Sequence, residues 1–203
     1  MKTMPRKTAP AKTMPARTMP GIARSVDRGA DTLCATTLDS PVGTLTIVAS
    51  ARGVRAVLWQ HEGDRPIPAA PDGGDADNDA ARVLAAAVQQ LTQYFAGERT
   101  AFELPLDPIG TEFQQSAWLA LRTIPFGETV SYGEQARRMG DARKARAVGG
   151  ANGRNPISII VPCHRVVGSN GSLTGFGGGI ENKAWLLDHE RRVGPGGPQR
   201  LFS

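Results

Sequence analysis

Between Thr32 and Trp59 apolar residues fall in three short runs, Thr32 to Leu38, Leu45 to Ala49 and Val54 to Trp59, parted by Pro41-Val42-Gly43 and Arg52-Gly53. Short runs rich in Val, Thr and Ile between glycine and proline punctuation predict strands, and the brief spacers predict a small antiparallel meander. From Asp79 to Ala96 the period lengthens: Val83, Ala87, Leu91 and Tyr94/Phe95 recur at helical spacing, an apolar stripe suited to cover that sheet. Residues 61–78, rich in Pro, Gly and Asp, read as a flexible loop.

The second half reads as short helices. Thr111 with Gln114 three residues on forms a capping box, and Phe113, Ala117, Ala120/Leu121 and Ile124 share one face until Pro125-Phe126-Gly127 stops the helix. Ser131 with Glu134 predicts a second box and a helix ending near Gly140. A further helix starts at Asp141 or Arg143, runs towards Asn152 and is ended by Gly153 and Pro156. Two short helices joined through a glycine turn predict a helix-turn-helix. The apolar or small run Ile157 to Val161 predicts a strand buried on both faces, which Pro162 ends just before Cys163 and His164. A last helix is predicted over Asn182 to His189, with Trp185 and Leu186 facing inward and Glu190 at its end.

Charge changes the picture only at the front. Hydrophobic residues make up 40% and charged residues 21% of the 203, an ordinary globular balance. The net charge of +5 comes from residues 1–20, where Lys2, Arg6, Lys7, Lys12 and Arg17 stand in a five-residue repeat closed by proline; the rest holds nineteen basic and nineteen acidic residues. Such a segment cannot build helix or central strand. It is either a cationic arm for nucleic-acid phosphates or a solvated extension. The expected organisation is a disordered basic tail over 1–30, a first domain over 31–107, a second over 108–193 and a tail over 194–203. Two cysteines, Cys34 and Cys163, set no disulfide framework, and no apolar run is long enough for a membrane span, which points to a cytoplasmic protein without a membrane partner.

Candidate chemistry gathers in the second half. Ala145, Ala147, Gly149, Gly150 and Ala151 leave the second helix of the pair nearly bare, with Arg143, Lys144 and Arg146 at its start and Arg154 past its end. Each helical glycine costs roughly 1 kcal/mol relative to alanine, so a close backbone approach is expected in return. That approach is either to a minor groove or to a neighbouring helix. Cys163 needs a base to become a nucleophile, and His164 and Glu190 are the candidates. Neighbours on an extended chain point to opposite faces, so a turn or one water must join thiol to imidazole. Six of the twelve residues from Gly168 to Gly179 are glycine, but G-x-x-x-x-G-K-[ST] is absent, so the loop reads as a pocket wall and not a phosphate cradle. Cys34 reads as a small buried hydrophobe and His61 as an ordinary loop residue.

Pro162-Cys163-His164-Arg165-Val166, preceded by Arg146-Ala147-Val148-Gly149-Gly150-Ala151 and Asn155-Pro156, resembles the signature of the O6-alkylguanine-DNA alkyltransferases, the methylated-DNA protein-cysteine methyltransferases. The resemblance runs from about Asp31 to about Arg192. It implies an α/β ribonuclease-H-like N-terminal domain, a small antiparallel sheet plus helix, followed by a mainly α, winged helix-turn-helix-like catalytic domain that binds DNA. It implies Cys163 as the alkyl acceptor, His164 as its base through a water, Glu190 as the carboxylate orienting the imidazole, and Asn155 as a hinge. Arg146 would take the place of a flipped nucleotide, with Ala145, Ala147, Gly149, Gly150, Arg143, Lys144 and Arg154 along the DNA. Tyr132 by its hydroxyl, Gly177 by its N–H, and Val166 and Cys163 by their carbonyls would hold the base beside Phe176. Phe176-Gly177 stands where members often carry tyrosine and serine. The implied partner is double-stranded DNA carrying O6-alkylguanine, and O4-alkylthymine besides, met by a monomer. No cofactor is implied and no metal, since the cysteine and histidine cluster that some members use for zinc is missing. The alternative is a lesion-binding relative that transfers nothing.

Overall fold

The computed structural model describes residues 33–60 and 79–194; the basic repeat, the loop containing His61 and residues 195–203 lie outside the described residues. Strands β1 (Cys34–Leu38), β2 (Leu45–Ser50) and β3 (Gly53–Trp59) form an antiparallel sheet in chain order, with Leu38 opposite Leu45 and Leu45 opposite Trp59. β1 starts two residues later than its apolar run suggests, and Cys34 is half-buried, not buried. Helix α1 (Asp79–Ala96) lies on the sheet and buries Ala87, Leu91 and Tyr94 against Leu45, Ile47 and Val57. Each large apolar side chain so buried is worth about 1.5–3 kcal/mol before the entropy of ordering it.

An unpaired strand edge is exposed hydrogen-bonding capacity, and the outer edge of β3 is used twice. Val54 donates to the Pro105 carbonyl (2.9 Å) and accepts from Asp107 N–H (2.9 Å), which lays residues 105–107 along the sheet. Three residues on, Val57 donates to the Pro156 carbonyl (2.8 Å) and bridges Ile157, which lays down the segment leading to Cys163. Asp107 fixes the first of these contacts by accepting from Ser50 Oγ (2.7 Å) and Arg55 Nε (3.0 Å).

In the second half α2 (Glu112–Leu121) has the full capping box: Gln114 N–H donates to Thr111 Oγ1 and Thr111 N–H to Gln114 Oε1. β4 (Val130–Ser131) leads into α3 (Tyr132–Arg138). Only half of the second predicted box forms, because Glu134, whose N–H is capped by Ser131 Oγ (3.0 Å), turns its carboxylate to Arg137 and Arg138 one turn on. A 3₁₀ turn (Ala142–Lys144) capped by Asp141 precedes α4 (Ala145–Asn152), so α3 and α4 form the helix-turn-helix. Buried amides join the pair, Asn152 Nδ2 donating to Gln135 Oε1 (2.7 Å), while Trp118 of α2 donates to the Ala151 carbonyl (2.9 Å). β5 (Val166–Val167) pairs in parallel with β4, and α5 (Ile180–Val193) outruns the predicted helix at both ends and takes in Glu190. No described helix is long and apolar enough to cross a membrane.

The predicted strand over Ile157–Val161 does not form. Its residues are buried as expected, but they make single bridges and overlapping turns, with Ile160 N–H reaching back to Ser158 and Val161 N–H to Ile157. Apolarity fixed burial there; regular pairing needed a second partner strand that the fold does not supply.

Gly53 sits at φ 155°, where a Cβ would fall 2.5 Å from the Pro105 carbonyl oxygen. Gly53→Ala should therefore cost about 1–3 kcal/mol by overpacking against backbone that cannot rotate away. Urea unfolding measures this, and an unchanged midpoint would mean that residues 105–107 do not lie on β3.

Candidate active site

Cys163 opens a 3₁₀ turn (Cys163–Arg165), 5% exposed, at the end of the overlapping turns. The turns are locked by Asn155, whose Oδ1 accepts from Ile157 N–H (3.1 Å) and whose Nδ2 donates to the Val161 carbonyl (2.8 Å) and to Cys163 Sγ (3.2 Å). A donor aimed at sulfur favours the thiolate over the thiol. Ile159, buried at the apex, has φ 73°, a costly conformation for a β-branched residue that the surrounding contacts must hold in place.

His164 is fully buried, and its Nε2 lies 2.8 Å from Glu190 Oε1. Burial presses the imidazole pKa below its usual value against the opposing pull of Glu190, so the ring is neutral near pH 7. Burial also opposes ionisation of Glu190, but the hydrogen bonds from His164 and Arg165 and the charge of Arg165 outweigh it and hold the carboxyl well below the usual range. An ionised acceptor at Nε2 requires the proton there, which leaves the lone pair on Nδ1. Nδ1 has no hydrogen-bond partner among the described residues. The arrangement is a neutral, oriented base one residue from a thiol.

Glu190, itself fully buried, also accepts from Arg165 Nε (2.9 Å) and Nη2 (3.0 Å), Tyr94 hydroxyl (2.9 Å) and Gly127 N–H (3.0 Å). Tyr94 and Arg165 escaped the sequence reading: one sat in an apolar stripe, the other inside the Cys-His motif, and the phenol in the stripe was the available signal. Lys183 escaped it too. It is fully buried on α5, donating through Nζ to the carbonyls of Val166 and Thr174 (2.7 Å each), and burial lowers its pKa while the nearby Cys163 raises it.

A cleft of about 430 Å³ lies beside this cluster, lined by Tyr132, Ala145, Arg146, Gly149, Thr174 and Gly175. The Tyr132 hydroxyl donates to the Thr174 carbonyl (2.9 Å), and burial raises its pKa, so it keeps its proton. Gly149 faces the Tyr132 ring, which accounts for one small residue of α4; Ala147 and Gly150 are exposed. Arg146 is exposed and makes no ion pair or hydrogen bond among the described residues. Lys144 is exposed as well, whereas Arg143 is paired with Asp141 (2.9 Å) and Arg154 donates to the Gly150 carbonyl (3.2 Å). Val166 is buried with its carbonyl facing Lys183, Phe176 packs between Trp59 and His164, and Gly177 is exposed on the loop.

Two family models match, the ribonuclease-like domain of 6-O-methylguanine DNA methyltransferase over residues 33–108 and the DNA-binding domain of the same family over 112–192. The chain belongs to the 6-O-methylguanine DNA methyltransferase family. A methylated-DNA-protein-cysteine methyltransferase of Mycolicibacterium paratuberculosis is 49% identical over 162 residues, 78% of this chain and 93% of the relative; one of Methanosarcina acetivorans is 45% identical over 152, 75% and 94%. The crystal structure of Mycobacterium tuberculosis O6-methylguanine methyltransferase superposes with a TM-score of 0.67 at 45% identity, covering 81% of this chain and 96% of that one. A structure of the Mycobacterium tuberculosis OGT in complex with DNA gives 0.65 at 47%, covering 79% and 94%. The methyltransferase signature read at Pro162–Val166 therefore lies in the matched DNA-binding region, with α2 to α5 around it.

Acid should unlock this cluster. His164 and Glu190 both bind protons more readily in the unfolded chain, so each adds stability above its ordinary pKa, 6.5 and 4.5, which is lost as pH falls below it. Unfolding midpoints should drop from pH 7 to pH 4, and Glu190→Gln should cost about 3–5 kcal/mol at pH 7 and flatten the lower part of that slope. A wild-type midpoint that is flat over this range would show that the pair is not in these protonation states.

Proposed function

We propose that the chain repairs DNA by moving the alkyl group of O6-alkylguanine irreversibly onto Cys163, one group per molecule. The observation that carries the reading is the Asn155–Cys163 and His164–Glu190 geometry: a sulfur with a donor aimed at it, next to an imidazole whose free lone pair is fixed on Nδ1.

In this reading His164 takes the thiol proton at Nδ1 through one bridging water, and Glu190 balances the charge that the imidazole gains. The Cys163 sulfur then attacks the alkyl carbon; the new S–C bond forms as the O6–C bond breaks, and its electron pair returns to the guanine. Tyr132, which holds its proton until the base is bound, exchanges its Thr174 acceptor for the base and passes a proton to the departing guanine; the phenol is reprotonated from solvent as the imidazolium of His164 releases the thiol's proton, so the charges balance. The product is a thioether without an electrophilic carbonyl, so water does not regenerate the thiol. O4-alkylthymine offers the same kind of carbon and is a second expected substrate.

The alkyl carbon is inaccessible inside a duplex, and turning the nucleotide out costs a few kcal/mol of stacking. Arg146, exposed on α4 and lining the cleft, is placed to fill the gap that results. The small, exposed Ala147 and Gly150 let backbone approach a groove, with Ala145 and Gly149 half-buried on the cleft side, and Lys144 and Arg154 lie at the ends of the helix for phosphates.

Intact mass spectrometry after incubation with a duplex holding one O6-methylguanine should show one added methyl, mapped to the Cys163 peptide, with unmodified guanine left in the DNA. Cys163→Ala should bind the duplex and gain no mass. Binding by the wild type with no added mass would make the protein a lesion binder, and repair of many lesions per molecule would make it a true catalyst; either overturns the proposal.

A further inference from the structure

Three consecutive glycines, Gly177 to Gly179, follow the cleft-lining Thr174 and Gly175 and give that loop little stiffness of its own. One side of that loop is tied from within the second half, where Thr174 accepts from Tyr132 and Lys183. The other side rests on the first domain. The Trp59 indole, 3% exposed at the end of β3, meets the Phe176 ring edge to face at 5.4 Å and 69°, and Phe176 in turn meets the His164 imidazole at 6.4 Å and 79°. Gly178 lies flat against the same indole, so closely that a Cβ there would come 2.5 Å from Trp59 Cζ2. Trp59 Nε1 also donates to Ser158 Oγ (3.2 Å) in the turns that carry Cys163. One side chain of the ribonuclease-like sheet therefore touches both the segment presenting the sulfur and the loop that continues from the cleft-lining Thr174 and Gly175.

We propose that Trp59 is a specificity-determining positioning residue: by setting how far the 175–178 loop stands from Cys163, it fixes the size of alkyl group that the cleft admits. The inference rests on the alkyl-transfer reading above. Phe176 has no polar side-chain group, so its ring is placed by the aromatic contact, while Gly178 is held by its fit against the indole and by Asn182 Nδ2, which donates to its carbonyl (2.9 Å). The geometry gives opposite signs to two substitutions. Trp59→Ala removes the backstop and lets the loop retreat from the cleft. Gly178→Ala needs space that the indole occupies, so it drives the loop forward into the cleft.

The test is a pair of single-turnover rates on duplexes carrying O6-methylguanine or O6-benzylguanine, with melting temperature followed for each variant. Trp59→Ala should raise the benzyl-to-methyl rate ratio about tenfold, and Gly178→Ala should lower it by a similar factor, a part of the roughly hundredfold that a displacement of about an ångström near reacting atoms can carry. Trp59→Phe, which keeps a ring against Phe176, should hold the ratio near wild type. Adding Gly178→Ala to Trp59→Ala should change little, because the clash is gone. Ratios that stay at the wild-type value in both single variants, or rates on the two substrates that fall together in step with the melting temperature, overturn the assignment. Wild-type protein that alkylates on neither duplex overturns the alkyl-transfer reading itself, and a Trp59→Ala chain that does not fold leaves the decision to Gly178→Ala.

Discussion

One buried carboxylate holds this molecule's parts in register. Glu190 on α5 takes five hydrogen bonds: from Tyr94 on the helix covering the first sheet, from Gly127 after α2, and from His164 and both forks of Arg165 in the turn that bears Cys163. Removing a carboxylate from water costs several kcal/mol unless every lone pair is answered and a cation stands near. Here Arg165, itself 7% exposed, is that cation, anchored at its other end on the Ile124 carbonyl (2.6 Å). The arrangement cannot be met by any one element, so α1, the turn after α2, the turn bearing Cys163 and α5 must assemble together for the charge to be tolerated.

The same cluster prepares the chemistry. An ionised Glu190 dictates the tautomer of His164, while the positive charges of Arg165 and Lys183 work against a resting imidazolium. Lys183 and Cys163 favour each other's charged forms, and Asn155 points its amide at the sulfur. Negative charge at Cys163 is thus supported from two sides, by the Lys183 ammonium and by the Asn155 amide. The sulfur is aimed by tight turns and not by a strand: the positive φ of Ile159 is strain kept in place by Asn155 and by the edge of β3.

Much of this was legible in the sequence, and the gaps have physical causes. α1 was read to the residue because its stripe is unbroken over eighteen positions, and the Thr111 cap because both reciprocal partners are present. The Cys163, His164 and Glu190 set followed from the need of a thiol for an oriented base. The run from Ile157 to Val161 misled because apolarity reports burial and not pairing. Tyr94, Arg165, Lys183 and Trp59 were missed for a common reason: each acts across a fold contact far away in sequence, ninety-six positions between Tyr94 and Glu190 and ninety-nine between Trp59 and Ser158, and no local pattern marks such a partner. The bare surface of α4 was noticed, but only the fold shows that Gly149 spends its smallness on Tyr132 while Ala147 and Gly150 remain open.

Everything turns on where the proton of His164 sits. Nitrogen-15 NMR of histidine-labelled protein at pH 7 reads this directly, with His164→Gln assigning the signal. A neutral ring protonated at Nε2 and bare at Nδ1 is the predicted result; an imidazolium, or a neutral ring carrying its proton on Nδ1, would contradict the account.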